Sequence, residues 1–343
     1  MPPPDLSSGF HTRFPDPVVT IDSHTAGEPT RLVVGGLPPI PGEDMKTKRE
    51  YFLTHLDHIR CLLTREPRGH RDIFAAVLTE PVSDHSAFGL IYMDPRRYPY
   101  LCGHATMGAV TTLLELGGIQ ALGPEVKLTV DTPSGPMSAT AVWDGHKVQG
   151  VTIQTVPSFV YRTDEEIHIP NADTILADTV CVGGFFAMVD IDQLDVTIED
   201  TETLTSLGME IIAQANRQLR VAHPSRPEVN SVDVVEFYTL NPSNPLAGQS
   251  VVIYGEAHVD RSPCGTGTAA KLTLLHHLGY VEPGQTYTNK SPTGTTFQAA
   301  IANTTYIGDL SGVEVRIQGT ASITGRHEFV LDPHDPFPQG FLL

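Results

Sequence analysis

The sequence predicts an α+β protein built as two similar lobes, and three observations carry that expectation. First, the chain repeats itself around two cysteines. Leu101-Cys102-Gly103-His104-Ala105-Thr106 runs on to Leu116-Gly117, and Cys264-Gly265-Thr266-Gly267-Thr268 runs on to Leu278-Gly279. The copies lie 162 residues apart, and the same offset sets Ile91-Tyr92 on Ile253-Tyr254, Thr111 on Thr273 and Leu113 on Leu275. Second, each cysteine follows a β-rich run and a polar turn and opens a helix-period stretch. Third, further β-rich segments follow each of those stretches. Two copies at such a distance indicate duplicated domains rather than a solenoid.

The elements follow in order. Phe88 to Met93 and Ser250 to Tyr254 are short runs of apolar and β-branched residues, which predict strands. Asp94-Pro95 in one copy and Asp260-Arg261-Ser262-Pro263 in the other are turns. The stretches opened by Cys102 and Cys264 predict helices that stop at Gly117 and Gly279. Strands are then expected over Val126 to Val130 and Met137 to Trp143, and over Thr296 to Ala302 and Val313 to Gln318. Between them Thr132-Pro133-Ser134-Gly135 echoes Ser291-Pro292-Thr293-Gly294. The order is strand, cysteine turn, helix, strand, made twice.

Composition narrows the function. With 343 residues the chain can form two domains with substantial cores. Its net charge of -18 argues against nucleic acid or an anionic membrane as the partner, because both require clustered Lys and Arg. No apolar run is long enough to span a bilayer. Met1 to Pro17 is proline-rich with no apolar core, so it reads as a flexible lead-in rather than a secretory signal. Four cysteines in that setting suggest free thiols and a cytoplasmic location.

A cysteine at a helix start carries chemical meaning. The first turn of a helix has unpaired N–H groups and a partial positive charge. A thiol there is expected to ionise more easily, falling from about 8.5 into a range of roughly 3.5–7.5. The same N–H groups can hold a carboxylate. The alternative, a buried structural cysteine, suits Cys61 in a helix-period stretch and Cys181 in a β-like one, since neither has the turn or the glycine. No close pair of Cys or His residues suggests a zinc site, although His24, His85 and His104 leave their own roles open. Gly265-Thr266-Gly267-Thr268 lacks the ending of a phosphate loop.

At four segments the sequence resembles the proline racemase family: Asp22 to Arg31, Glu66-Pro67-Arg68-Gly69, Cys102-Gly103-His104, and Asp260 to Thr268. That family includes proline racemases, 4-hydroxyproline 2-epimerases and trans-3-hydroxy-L-proline dehydratases, and is related in fold to diaminopimelate epimerase. The resemblance implies two pseudo-symmetric lobes with the active site in the cleft between them. It implies a first lobe over 18–150 joined by a C-terminal return over 325–343, a second lobe over 151–324, and the lead-in over 1–17. It also implies that Cys102 and Cys264 are the acid/base thiols, that Gly103, His104, Gly265 and Thr266 hold the substrate carboxylate, and that Asp260 binds the ring nitrogen. Neither pyridoxal phosphate nor a metal is implied.

The expected activity is a cofactor-independent racemase or epimerase that inverts the Cα of proline or 4-hydroxyproline. A dehydratase acting on trans-3-hydroxy-L-proline is the alternative, and the intact cysteine pair favours inversion. A thiol–disulfide protein is a remote third reading, because the C-x-x-C arrangement is missing. The expected partner is a small imino acid. Oligomeric state is left open, a homodimer among the options.

Overall fold

The computed structural model describes residues 7–170 and 173–343. The chain begins with α1 (Ser7–Arg13), β1 (Val18–Thr25), β2 (Glu28–Gly35), α2 (Met45–His55), α3 (Asp57–Thr64), β3 (Ala75–Thr79) and β4 (Phe88–Met93). It continues through α4 (Gly103–Glu115), β5 (Glu125–Thr132), β6 (Gly135–Trp143) and β7 (Val148–Gln154). The second half holds β8 (Ser158–His168), β9 (Thr174–Val182), β10 (Gly184–Asp190), α5 (Thr201–Gln218), β11 (Val232–Tyr238), β12 (Ala247–Tyr254) and β13 (His258–Val259). It ends with α6 (Gly265–His277), β14 (Tyr287–Lys290), β15 (Thr296–Ile307), β16 (Leu310–Gly319) and β17 (Ala321–Phe329).

The duplication seen in the sequence is a duplication of pairing. In the first half β1–β2 is antiparallel, β2–β3 parallel, β3–β4 antiparallel, β4–β5 parallel, and β5–β6 and β6–β7 antiparallel. The second half repeats this order with β9, β10, β11, β12, β14, β15 and β16. An outer strand completes each sheet: β17 pairs antiparallel with β1, and β8 with β9. The chain therefore crosses between lobes after Gln154 and returns after Gly319. A ladder between β7 and β16 joins the two sheets.

Each sheet curls around one helix. Nearly every residue of α4 from His104 to Thr112, and of α6 from Gly267 to Leu275, is buried. A helix covered on all sides needs no polar face, which explains the small, apolar sequences of both. Each stops as expected, with Gly117 at φ +75° and Gly279 at φ +77°, the left-handed conformation glycine adopts at little cost. The outer faces are covered by the other helices. Phe52 of α2 and Leu63 of α3 pack in one cluster with Val33, Val77 and Ile91; Leu204 and Ile211 of α5 pack with Val235, Val251 and Ile253. Asp44 and Asp200 cap α2 and α5 by accepting the N–H of Thr47 and of Thr203.

The segment read as a flexible lead-in falls partly outside the described residues. From Ser7 to Arg13 it is helical. Phe10 packs against Phe14 with its ring tilted, and Arg13 donates to Asp332 at 2.7 Å, contacts that a reading of local composition does not reveal. Among the described residues no helix is long and apolar enough to cross a membrane.

Candidate active site

The strand and turn before each central helix deliver a cysteine to its N-terminus. Cys102 and Cys264 are the N-cap residues of α4 and α6, and each is 8% exposed. The helices point their starts at one another across the cleft. A Cβ placed on Gly103 would lie 3.9 Å from the Gly265 Cα and 2.9 Å from Ile153 Cδ1, and one on Gly265 would lie 3.8 Å from the Gly103 Cα. Across the cleft those are ordinary contacts, whereas a side chain on Gly103 would crowd Ile153.

The two cysteines are held differently. Cys102 is extended and has His104 Nδ1 3.2 Å from its sulfur. Cys264 has φ +59° and ψ 125°, a conformation costing about 1–3 kcal/mol for a non-glycine residue. Its sulfur accepts the Gly267 N–H at 3.3 Å and lies 3.5 Å from the Thr266 hydroxyl. The strain turns the thiol back over the first turn of its own helix.

The expectation of an easily ionised thiol needs correcting. Burial pushes both Cys102 and Cys264 well above the usual thiol range. The helix N–H groups do pull downward, through Ala105 and His104 for Cys102 and through Gly267 for Cys264, but Asp260 adds negative charge beside both. Loss of water outweighs the helix terminus. Burial thus favours the protonated form of both thiols at neutral pH.

That cavity has a volume of about 130 Å³ and brings together all seven residues singled out in the sequence: Cys102, Gly103, His104, Asp260, Cys264, Gly265 and Thr266. Cavities of about 150 Å³ hold a benzene-sized ring, so a five-membered ring is the right scale. Asp260 is buried, and its Oδ1 accepts the Ser262 N–H at 2.8 Å and the Ser262 hydroxyl at 2.7 Å. Burial and the neighbouring Glu28 push the Asp260 carboxyl up to about 7. Burial holds His104 neutral, lowering it to about 3, and its ring packs edge-on against Phe74. Hence the cavity offers two thiols, two sets of helix N–H groups and one carboxyl that can charge.

Other residues reach it without having been signalled. Phe74, Phe186, Val234, Val252 and Tyr254 form its walls, and Arg97 also lines it. On strands such residues look like core. The repeat held a usable signal: at the offset of 162, Asp260 falls on Tyr98 and Glu236 on Phe74, so polar function was placed in one copy only. Tyr254 matches Tyr92, yet Tyr92 is fully buried with its hydroxyl 2.7 Å from that of Thr106, while Tyr254 faces the cavity.

His24 and His85 lie away from the cavity. His24 Nδ1 accepts the Gly27 N–H at 3.1 Å within a turn, and His85 sits on an exposed loop. Among the described residues no group of three His, Cys, Asp or Glu side chains is placed to hold a metal. Cys61 and Cys181 are buried on α3 and β9, and burial raises both. A second hollow of about 220 Å³, at the far end of α6 beside His276 and His277, contains neither thiol of the site.

Known proteins resemble this chain along nearly its whole length. The family model for proline racemase matches residues 20–342. The chain is 40% identical over 333 residues to the proline racemase of Acetoanaerobium sticklandii, covering 96% of this chain and 99% of that one. It is 34% identical over 330 residues to the trans-3-hydroxy-L-proline dehydratase of Burkholderia cenocepacia, covering 94% and 97%. Among solved structures, a hydroxyproline epimerase from Agrobacterium vitis with bound trans-4-hydroxy-L-proline superposes with a TM-score of 0.87 at 30% identity, over 96% of each chain. Two pseudo-symmetric lobes, a cleft between facing helix starts and likeness along nearly the whole length converge on one conclusion: the chain belongs to the proline racemase family.

Proposed function

We propose that the protein is a cofactor-independent racemase or epimerase that inverts the Cα of proline or 4-hydroxyproline, with Cys102 and Cys264 as the acid/base pair. The observation that carries this reading is the placement of two thiols, one from each lobe, in one ring-sized cavity. Inversion requires a proton to leave one face of Cα and another to arrive at the opposite face. Two groups on opposed supports do this without moving the substrate.

In this reading the substrate carboxylate lies at the two helix starts, held by backbone N–H groups of Gly103, His104, Gly265 and Thr266. Those donors stabilise the charge that builds on the carboxylate as Cα loses its proton. Asp260 receives the ring ammonium. That ammonium also supplies the positive charge the thiols lack, so that one of them ionises once substrate is bound. The roles of the two thiols exchange for the opposite enantiomer, and the chemistry invokes neither pyridoxal phosphate nor a metal.

A second reading, dehydration of trans-3-hydroxy-L-proline, is supported by the similarity to the Burkholderia dehydratase. The protein should be incubated separately with L-proline, trans-4-hydroxy-L-proline and trans-3-hydroxy-L-proline, and the products resolved by chiral chromatography. Inversion of either of the first two supports the proposal. Reaction of the 3-hydroxy compound alone, yielding a cyclic imine, replaces it with dehydration.

Alkylation tests the thiols independently. Iodoacetate is expected to inactivate through Cys102 or Cys264, and pyrrole-2-carboxylate, a planar mimic of the flattened Cα, should protect. Since burial keeps both thiols protonated, the rate should climb as pH rises above the ordinary thiol range. Inactivation mapped by mass spectrometry to Cys61 or Cys181 alone would remove the basis of the assignment.

A further inference from the structure

Glu28 is a fully buried carboxyl to which this reading gives no task. It begins β2 in the first lobe, with 0% of its surface exposed, and both its oxygens reach into the second lobe. Oε2 accepts the Arg261 N–H at 2.8 Å, and Oε1 lies 3.0 Å from His258 Nε2. Asp260 Oδ1 accepts the next N–H along the chain, that of Ser262. Two carboxyls from opposite lobes therefore grip consecutive peptide groups of the turn that leads into Cys264.

The surroundings decide how much charge this pair carries. Glu28 faces Asp72 from the segment before β3, Cys102 from the start of α4, Tyr254 from β12, and His258, Asp260 and Arg261 from β13 and the turn after it. The Arg261 guanidinium is already engaged, 2.6 Å from Asp72. Burial pushes Glu28 up to about 8 and lowers His258 to about 4, so both are neutral near pH 7. The geometry accommodates that state, with His258 Nδ1 lying 3.6 Å from Asp72 on its other side. A protonated Glu28 donates from Oε1 to His258 Nε2 and accepts the Arg261 N–H at Oε2, leaving neither oxygen unpaired. A second negative charge here would also raise the thiols further.

We propose that Glu28 is a positioning residue for Asp260: from the first lobe it fixes the turn that presents Asp260 to the cavity, so that Asp260 is the carboxyl that meets the ring ammonium. This rests on the reading of the cavity as an imino-acid site. A glutamine reproduces a protonated glutamate, with one N–H donor toward His258 and one oxygen toward Arg261; an alanine reproduces neither.

Glu28→Ala is expected to lower kcat/KM by about tenfold or more, mainly through KM, as two buried hydrogen bonds are lost. Glu28→Gln is expected to recover most of that loss at pH 7. In the unsubstituted enzyme, infrared difference spectra should show a protonated carboxyl band that fades as pH rises through about 8, and that band should be missing from Glu28→Gln. Should Glu28→Ala not fold, the wild-type spectrum and Glu28→Gln still decide the matter. The proposal is overturned if Glu28→Gln is as impaired as Glu28→Ala, or if no such band is seen at neutral pH. Failure of the underlying reading looks different, because the unsubstituted enzyme would then turn over no imino acid.

Discussion

Replacing either Cys102 or Cys264 by serine is expected to abolish inversion in both directions, a loss of at least about a thousandfold, within the range of about 10²–10⁴ typical of a single positioned acid or base. A serine hydroxyl ionises far less readily than a thiol, so it can neither take the Cα proton nor serve as an efficient donor. Both directions fail together because the thiol that acts as base toward one enantiomer is the acid toward the other. The unsubstituted enzyme in deuterated water should return product whose new Cα hydrogen is deuterium, while unreacted substrate stays mostly protiated early in the reaction. A dehydratase behaves otherwise: it consumes its 3-hydroxy substrate irreversibly and can tolerate the loss of one thiol. Product analysis by mass spectrometry, with both serine variants assayed on both enantiomers, separates the two. Full inversion by either serine variant would end the two-thiol assignment.

The largest expected effect on stability lies beneath the second thiol. Glu236 is fully buried on β11, with the Ser250 hydroxyl as its polar neighbour. A Cβ on Gly267 would lie 2.9 Å from Glu236 Oε2, so the carboxyl sits directly against the first turn of α6. Its electrostatic partner is the buried Lys271, whose Nζ donates to the Gln249 carbonyl at 3.2 Å between the rings of Tyr238 and Tyr287. Lys271→Met removes that charge and should cost about 3–5 kcal/mol at alkaline pH, where Glu236 ionises without its partner, the usual effect of leaving one member of a buried pair alone.

The pH dependence has a definite sign. Burial raises Glu236 from 4.5 to about 7 even with the lysine nearby, and removing the lysine raises it further. A carboxyl raised in the folded state stabilises fully below its unfolded value, and that contribution is lost as pH climbs through the folded one. The deficit of Lys271→Met relative to the unsubstituted protein should therefore be small near pH 4.5 and grow through and beyond pH 7. Urea denaturation at acidic and alkaline pH measures it. Adding Glu236→Gln to the lysine variant should restore most of the stability, and no restoration would show that the two groups are not coupled.

How far the sequence could be read depended on the range of the interactions. The cysteine turns, the helices they open and the glycines that close them are local, and each lies where the repeat placed it. All seven named site residues also line one cavity, because the two motifs that contain them are copies of one structural device. The thiol ionisation was misjudged for a related reason. The helix terminus is visible in the sequence, but burial is imposed by Phe74, just before β3, and by Val234 and Val252 on β11 and β12. Glu28 and His258 lie 230 positions apart, and nothing local to either suggests the other. Arg13, at the end of the helix over Ser7–Arg13, meets Asp332 near the opposite end of the chain.

The return of β17 to the first sheet and the seam between the sheets have a mechanical consequence. β17 leaves the second half to pair with β1, and β7 and β16 are stitched by a ladder running from Gln154–Arg316 to Val151–Gly319. The ladder binds the lobes like a book along that spine, and a parting that pivots about this line is the one that leaves its hydrogen bonds intact. What separates at the free edge is largely polar: Arg96 from Glu256, Arg261 from Asp72, Arg71 from the Glu256 and Ala257 carbonyls, and His258 from Glu28. Water can solvate each of those groups as it is released, whereas the spine keeps its backbone hydrogen bonds throughout the swing.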